Sequence, residues 1–513
     1  MRDIVNKSLK LNNDLDRYVE QALEQGRPVK IGWGRAGDER PKDGEFGVMT
    51  HLPEGARVLC LGSLGDCVGA ANRGGTLTLR GDAGSMLGAF HHSGKTVVEK
   101  DVGDKVGFGM KGGEISIQGS TGDESGYSMT GGILLVRGHS GDRLGCGMSG
   151  GSIVVMGSVG SEPGIGMTGG RVIISGSCPP PPDGVEMRSI KKSEISEFSK
   201  LLDPMGLSLN DDALVLEPTG EVSSSVEGAE FFISEGFENI SLYPNEDSLS
   251  DNSPLDHYTL LVQDGADSGG ALLKIPWIMT CETTIGSEKW KGVDSPAIVR
   301  TKSRDNDLLL VGKNEFCDAI DHVGNCSGIV FDITDFPGLN DAEIEGMIIS
   351  LRSRMSGNSI ILLRGRIDRI ERLFRLVMDL DLDGAVVNSA TIGGTRLASS
   401  LPKIGLSAKA MGMSETGKFV MIEVLQQPIA KDLIIAVASG CTALVSPCPD
   451  SDLSAKINEL TVGIRELMRE IGVDRIERIG RRNLRANNFD TAAISGLRLV
   501  GYDRPLKMWL DLR

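Results

Sequence analysis

Gly393, Gly394 and Thr395 lie in Ile392-Gly-Gly-Thr-Arg-Leu-Ala-Ser-Ser400, shortly after the apolar run GAVV (384–387). A glycine-rich loop after a strand lets backbone N–H groups approach an anionic ligand, and in a parallel α/β domain it stands at the functional face. The bland alternative is a tight strand-to-helix turn. Three GxGxxG strings begin at Gly107, Gly145 and Gly164. None stands between a strand and a long helix with an acidic residue about 20 positions on, as dinucleotide binding requires, so all three read as turns. His139, His257 and His322 are isolated, and Cys441 and Cys448 lack metal-ligand spacing. No nucleophile elbow, zincin or Walker string appears. Motif spacing alone therefore names no catalytic residue and no metal ligand.

The elements that would position such residues announce themselves by repetition. Gly-Gly pairs begin at Gly112, Gly131, Gly150 and Gly169, and the same 19-residue step reaches back through Ser93-Gly94 and Gly74-Gly75 to Gly55. After these landmarks come short β-branched or apolar runs: RVLCL, TLTLR, EISIQ, ILLVR, SIVVM and RVIIS. Each reads as a strand followed by glycine-set turns. A unit that cannot bury its own apolar face must stack on its neighbours, and residues 50–177 read as a right-handed parallel β-helix. Met110, Met129, Met148 and Met167 fall two residues before each Gly-Gly pair, with His91 at the equivalent place one repeat earlier. Stacked equivalents make them a packing ladder.

Residues 1–49 read as a helical or extended lead-in. Cys178-Pro-Pro-Pro-Pro-Asp183 ends the repeats, because proline cannot donate to a strand ladder. Residues 178–254 read as a linker and transition, with an amphipathic stretch from Lys191 to Leu202. From 255 to 513 strands alternate with helices. The candidate strands are TLLV (259–262), PWIMT (276–280), LLLVG (308–312), GIVFDI (328–333), IILL (360–363), GAVV (384–387), KFVMIE (418–423) and TALVS (442–446). Helices are expected at 340–356, 367–380, 429–440 and 453–472. The alternation implies a parallel sheet, and its extent suits a (β/α)8 barrel, with a doubly wound open sheet as the alternative. The fold class is thus mixed: a β-helix followed by an α/β domain.

Composition sets the outer bounds. Glycine occupies 68 of 513 positions, well above the usual roughly 7 per cent, which the repeat explains. The formal charge of −16 argues against sequence-independent binding to nucleic acid or an anionic membrane. No apolar run approaches a membrane span and Met1-Arg2-Asp3-Ile4 does not read as a signal peptide, so a cytoplasmic location is expected. Nine cysteines without a CxxC pair suit reduced, mostly buried thiols better than a disulfide framework.

The repeat Gly131-Gly-Ile-Leu-Leu-Val-Arg-Gly-His-Ser-Gly-Asp-Arg-Leu-Gly-Cys-Gly-Met148 resembles the GXGXG domain that closes the large subunit of glutamate synthase and also makes up one of the subunits of formylmethanofuran dehydrogenase. The second half resembles the glutamate synthase flavin-binding barrel. Ile275-Pro-Trp-Ile-Met-Thr-Cys-Glu-Thr-Thr-Ile-Gly286 is similar to its opening strand and loop, Gly393-Gly394-Thr395 with Ala398-Ser399 to its Gly-Gly-Thr-Gly-Ala-Ser loop, and Val462–Gly472 to its late helix. The resemblance implies Thr280, Gly393, Gly394, Thr395 and Ser399 as cofactor-binding residues and flavin mononucleotide (FMN) as the cofactor to test. The chain also departs from the pattern. Gln426-Gln427-Pro428 stands where the family has a Gly-Gly phosphate loop. Cys448 alone stands near the place of a three-cysteine iron–sulfur cluster, so no such cluster is expected. Leu363 or Arg364 replaces the barrel lysine, and the glutaminase domain is missing from the sequence. The expectation is a glutamate-synthase-like subunit of an amidotransferase or amino-nitrogen complex, serving as a scaffold, oligomeric, and joined to a glutaminase or amidotransferase subunit. The alternatives are a flavin-dependent glutamate-synthase-type oxidoreductase fed with ammonia by a separate glutaminase, and a scaffold subunit of a formylmethanofuran dehydrogenase-type complex.

Overall fold

A computed structural model describes residues 2–34, 40–220, 237–244, 273, 275–357, 359–389, 397–473 and 475–501. The chain forms two compact units, Met1–Glu227 with Leu339–Arg354, and Gly228–Gly338 with Met355–Arg513.

The first unit opens with helix α1 (Asp3–Gln25), whose Val5, Ser8, Asn12, Leu15 and Val19 fall on one buried face and which stops at the left-handed Gly26. Asn12 clamps the chain beside it, donating to the Gly47 carbonyl at 2.8 Å and accepting from the Met49 N–H at 2.9 Å. Strands β1 (Val29–Ile31), β2 (Arg57–Cys60), β3 (Arg73–Leu79), β4 (Ser93–Val98), β5 (Glu114–Ile117), β6 (Ile133–Val136), β7 (Ser149–Val155) and β8 (Gly169–Ile174) pair in sequence order, all parallel. The sheet thus begins within the lead-in, and it does not stop at the prolines. Strands β9 (Val185–Ser189) and β10 (Leu214–Pro218), with helix α2 (Lys192–Leu202) between them, lie in the stretch read as linker, and β10 pairs antiparallel with both β8 and β9.

Stacking at the repeat distance dictates the packing. Val58, Leu77, Ile115, Leu134, Ile153 and Val172 occupy equivalent positions and are buried in one core, each such side chain contributing roughly 1.5 to 3 kcal/mol. Ala83, Val102, Thr121, Ser140 and Val159 form a second run of parallel bridges at the same step. Between them the backbones approach so closely that a Cβ on Gly81 would meet the Gly62 carbonyl oxygen at 1.8 Å. On the outside, Asp104, Asp123 and Asp142 each accept the backbone N–H of the residue 19 positions on, at 2.7 to 2.8 Å. The GxGxxG strings are turns of the repeat, with Gly107, Gly145 and Gly164 at positive φ.

A ladder of alternating charge runs beside the turns. Lys105, Glu124 and Arg143 share a left-handed conformation, with Lys105–Glu124 at 3.7 Å and Arg143–Glu124 at 2.7 Å. Glu343 extends it. This residue lies on the helix Asp341–Arg352, is 1 % exposed, and meets Lys105 Nζ at 3.0 Å. Arg354 reaches Asp16 of α1 at 2.9 Å, so the segment is tied to the first unit by ion pairs as well as by packing.

The second unit is built on a closed barrel of eight parallel strands: β12 (Trp277–Cys281), β13 (Ala297–Val299), β14 (Leu308–Val311), β15 (Gly328–Asp332), β16 (Ile360–Arg366), β17 (Gly384–Asn388), β18 (Phe419–Glu423) and β19 (Ala443–Pro447). Closure, made by β19 pairing with β12, rules out the open sheet. The three-residue β13 takes a place that the sequence reading had not filled, while the expected strand 259–262 lies outside the described residues. In chain order the helices are α3 (Phe316–His322), α4 (the Asp341–Arg352 helix of the first unit), α5 (Ile370–Asp379), α6 (Leu397–Ala410), α7 (Ala430–Ala438), α8 (Leu453–Ile471) and α9 (Phe489–Ser495). A small sheet joins β11 (Ile240–Leu242), β20 (Leu484–Ala486) and β21 (Arg498–Leu499). Among the described residues no helix is long and apolar enough to cross a membrane.

The methionines at 110, 129, 148 and 167 are buried as a packing ladder should be, and His91 stands among them fully enclosed. Its Nδ1 lies 3.0 Å from the Gly112 carbonyl, which can only accept, so Nδ1 carries the proton and the Nε2 lone pair is left buried without a partner. Burial holds the imidazole pKa below its ordinary 6.5. As pH falls below about 6.5 the unfolded chain takes up a proton that the folded chain refuses, so stability is lost on the acid side. His91→Met, which completes the ladder, should raise stability by about 1 kcal/mol at neutral pH and flatten this acid loss, measured by urea unfolding between about pH 5 and 8. A variant less stable than the parent throughout that range would contradict this account of the ladder.

Candidate functional site at the barrel mouth

Strand alternation decides which side chains reach the mouth. Ile278, Ile298, Leu310, Val330, Leu362, Val386, Met421 and Val445 form one buried layer inside the barrel, one residue from each strand. Two residues further along each strand, the period of a pleated strand, the chain presents Thr280, Arg300, Gly312, Asp332, Arg364, Asn388, Glu423 and Pro447. An apolar floor is thus covered by a predominantly polar layer at the C-terminal ends of the strands, where barrels keep their chemistry.

Arg364 dominates this layer. Its Nε donates to Glu423 Oε2 at 2.6 Å and its Nη2 to Glu423 Oε1 at 3.1 Å, a two-pronged pair, while Nη1 donates to Asp332 Oδ2. Asp332 Oδ1 in turn accepts from Thr334, from N–H at 3.0 Å and hydroxyl at 2.6 Å. The guanidinium is 15 % exposed and the carboxylates 4 and 16 %, so the three groups exchange water for one another. Arg300 pairs with Glu315 at 3.1 Å. Asp335 and Glu315 converge over Gly312, where a Cβ would lie 2.2 and 2.8 Å from their carboxylate oxygens. Burial, reinforced by Asp332 and Glu315, pushes the Asp335 carboxyl above its ordinary range.

The space left above the floor is a cavity of about 250 Å³, lined on its polar side by Thr280, Cys281, Glu282, Arg300, Arg364 and Glu423. It is smaller than the roughly 300 to 1,000 Å³ of common small-molecule sites. Two carboxylates balance two guanidiniums in the lining, and Asp332 behind Arg364 adds a third negative group.

Of the residues expected from sequence, Thr280 lines this cavity, with its hydroxyl 3.4 Å from the Ser446 carbonyl. Gly393, Gly394 and Thr395 lie outside the described residues, and Ser399 falls on α6 with its side chain outside them too. Arg364, and not Leu363, is the residue turned to the mouth; Leu363 is buried away from the inner layer. The Asp332–Arg364–Glu423 cluster was missed in sequence, although each member ends an apolar strand in phase with its inward residues.

An FMN phosphate needs unpaired donors or net positive charge, and the described residues at the mouth fit it poorly. Arg364 uses all three of its nitrogens on carboxylates. After β18, Gln427 Nε2 donates to the Pro447 carbonyl at 2.7 Å, so that side chain bridges two strand ends where a backbone cradle would be needed. Among the described residues no group of three or more His, Cys, Asp or Glu is placed to hold a metal ion.

Fold and site define a two-part chain: a parallel stack of glycine-rich repeats and a closed eight-stranded barrel whose mouth is cross-linked by charge. Residues 48–201 match the GXGXG motif family, which bears out the resemblance read from the repeat. Among solved structures, the flavin-binding domain of baker's yeast flavocytochrome b2 is similar at 13 % identity, over 54 % of this chain and 82 % of that one, with a TM-score of 0.38. A soluble mutant of (S)-mandelate dehydrogenase from Pseudomonas putida is similar at 13 % identity, over 49 and 88 %, with a TM-score of 0.32. No curated protein sequence matches the chain. The barrel assignment rests on the strand pairings.

Removing the central cation leaves two buried carboxylates face to face. Arg364→Met should therefore cost about 3 kcal/mol, and adding Asp332→Asn and Glu423→Gln to it should recover most of the loss, both read by urea unfolding. Equal stability of the parent and the single variant would show that the cluster contributes nothing to the barrel.

Proposed function

We propose that this chain is a glutamate-synthase-like subunit of a glutamine-amidotransferase or amino-nitrogen complex and that its role there is structural. The observation that carries the reading is Arg364, the cation of the barrel mouth, each of whose three nitrogens donates to Asp332 or Glu423. A positive group held in this way stiffens the ends of β15, β16 and β18 and has little left to offer an anionic ligand. The small cavity and the Gln427 bridge agree with it.

In this reading the glycine-rich unit is a right-handed parallel β-helix. Its support is that two runs of parallel pairing share one 19-residue step, and that the chain turns through positive φ at Cys67, Met86, Lys105, Glu124, Arg143 and Glu162, the same point of six successive repeats. Such a stack is stiff along its length and offers partner subunits, a glutaminase or amidotransferase among them, a long regular surface.

The purified full-length protein should be colourless and should retain no FMN after equilibrium dialysis, and from its native source it should emerge bound to an amidotransferase-type subunit. FMN bound near one per chain would contradict the structural role. A chain that purifies alone as a monomer would contradict membership of a complex.

A further inference from the structure

Cys281 ends β12 and Cys448 directly follows β19, the two strands at which the barrel closes. Thr280 stands opposite Pro447 in that parallel register, and the Cys448 N–H donates to the Thr280 carbonyl at 2.9 Å. The same register puts Cys448 opposite Cys281. Facing residues of neighbouring strands project to one side of a sheet, and their Cα atoms are about 4.8 Å apart. A disulfide spans roughly 4.4 to 6.8 Å between Cα atoms, so the pair needs no rearrangement of the strands.

Accessibility separates these two thiols from most of the others. Cys281, Cys448 and Cys178 are partly exposed, whereas the remaining six are buried. Cys281 also borders the barrel cavity. The two groups are near enough to influence one another: burial, with the charge of Cys448 added, pushes the Cys281 thiol up to about 12. Burial raises Cys448 too; the Lys289 ammonium opposes that more than Asp450 adds to it, which favours Cys448 as the attacking group.

We propose that Cys281 and Cys448 form a thiol–disulfide exchange site, oxidised by a small-molecule disulfide of the glutathione class to a cross-strand disulfide at the rim of the cavity. The Cys448 thiolate attacks one sulfur of the small disulfide. That S–S bond breaks, and the leaving small thiolate takes up the proton that Cys448 released. The Cys281 thiolate then attacks the Cys448 sulfur of the mixed disulfide, and a second small thiol leaves with the proton from Cys281. Two protein thiols and one small disulfide give one protein disulfide and two small thiols; the protein loses two electrons and two protons, which the small disulfide gains. The site stands whether or not the barrel binds a flavin.

The test uses the native full-length protein, equilibrated to completion with excess oxidised glutathione at alkaline pH, where raised thiols ionise enough to exchange, then alkylated, digested and mapped by mass spectrometry. The expected product is a peptide pair joined through Cys281 and Cys448, reversed by reduced glutathione. Cys281→Ser, with unchanged far-ultraviolet circular dichroism, should give no joined pair and should carry a single glutathione on Cys448. Parent protein in which both thiols stay free, or carry separate glutathiones, or in which either joins a different cysteine, would overturn the proposal. Because the parent alone gives a decisive map, the test survives a variant that fails to fold.

Discussion

In the first unit backbone lies against backbone, with the Gly62 carbonyl beneath Gly81 and no room between them for a single carbon. That distance forces glycine at fixed intervals, and the fixed interval places every other residue of the repeat above its own equivalent. Apolar equivalents then merge into one core, aspartates catch the N–H of the next layer, and the residues at the turn become a ladder in which Lys105, Glu124 and Arg143 alternate in sign. Like charges at the repeat distance would repel along the whole stack; alternation turns the same geometry into attraction. Glu343 joins this series from α4.

The barrel obeys a different periodicity with a comparable result. Its strands alternate, so one residue from each fills the floor and the residue two positions on faces the mouth. A mouth layer rich in carboxylates would open by repulsion. Arg364 holds Asp332 and Glu423 together, and the cost of burying three charges is offset only because each finds hydrogen-bonding partners. The same pairing governs what the mouth can do. An arginine neutralised by two carboxylates orders strand ends and gives little purchase to phosphate.

What sequence could and could not reveal follows from how far apart the interacting residues lie. The repeat is local, since Gly81 meets Gly62 and Asp104 meets Asp123, so spacing alone exposed it. Strands such as Leu308–Val311 and Gly384–Asn388 were legible as apolar runs, but Ala297–Val299 was too short to stand out from its polar flanks. The first strand, Val29–Ile31, has only two buried residues and becomes a strand by pairing with β2. At the mouth, Thr280 was named through a family resemblance. The Arg364 cluster and the Cys281–Cys448 register escaped notice because their members are far apart in sequence and meet only when the barrel closes. His91 was visible as an interruption of the methionine ladder, though its unpartnered nitrogen was not.

If the repeat distance organises the glycine-rich unit, a whole layer should be removable and a fraction of one should not. Deleting residues 131–149 joins Thr130 to Gly150-Gly151 and restores the spacing, whereas deleting 131–145 breaks it. Hydrogen exchange on β5, β7 and β8 is the direct reading. Protection of those strands in the first deletion and its collapse in the second are the predicted result; equal loss of protection in both would contradict a stack built on that interval.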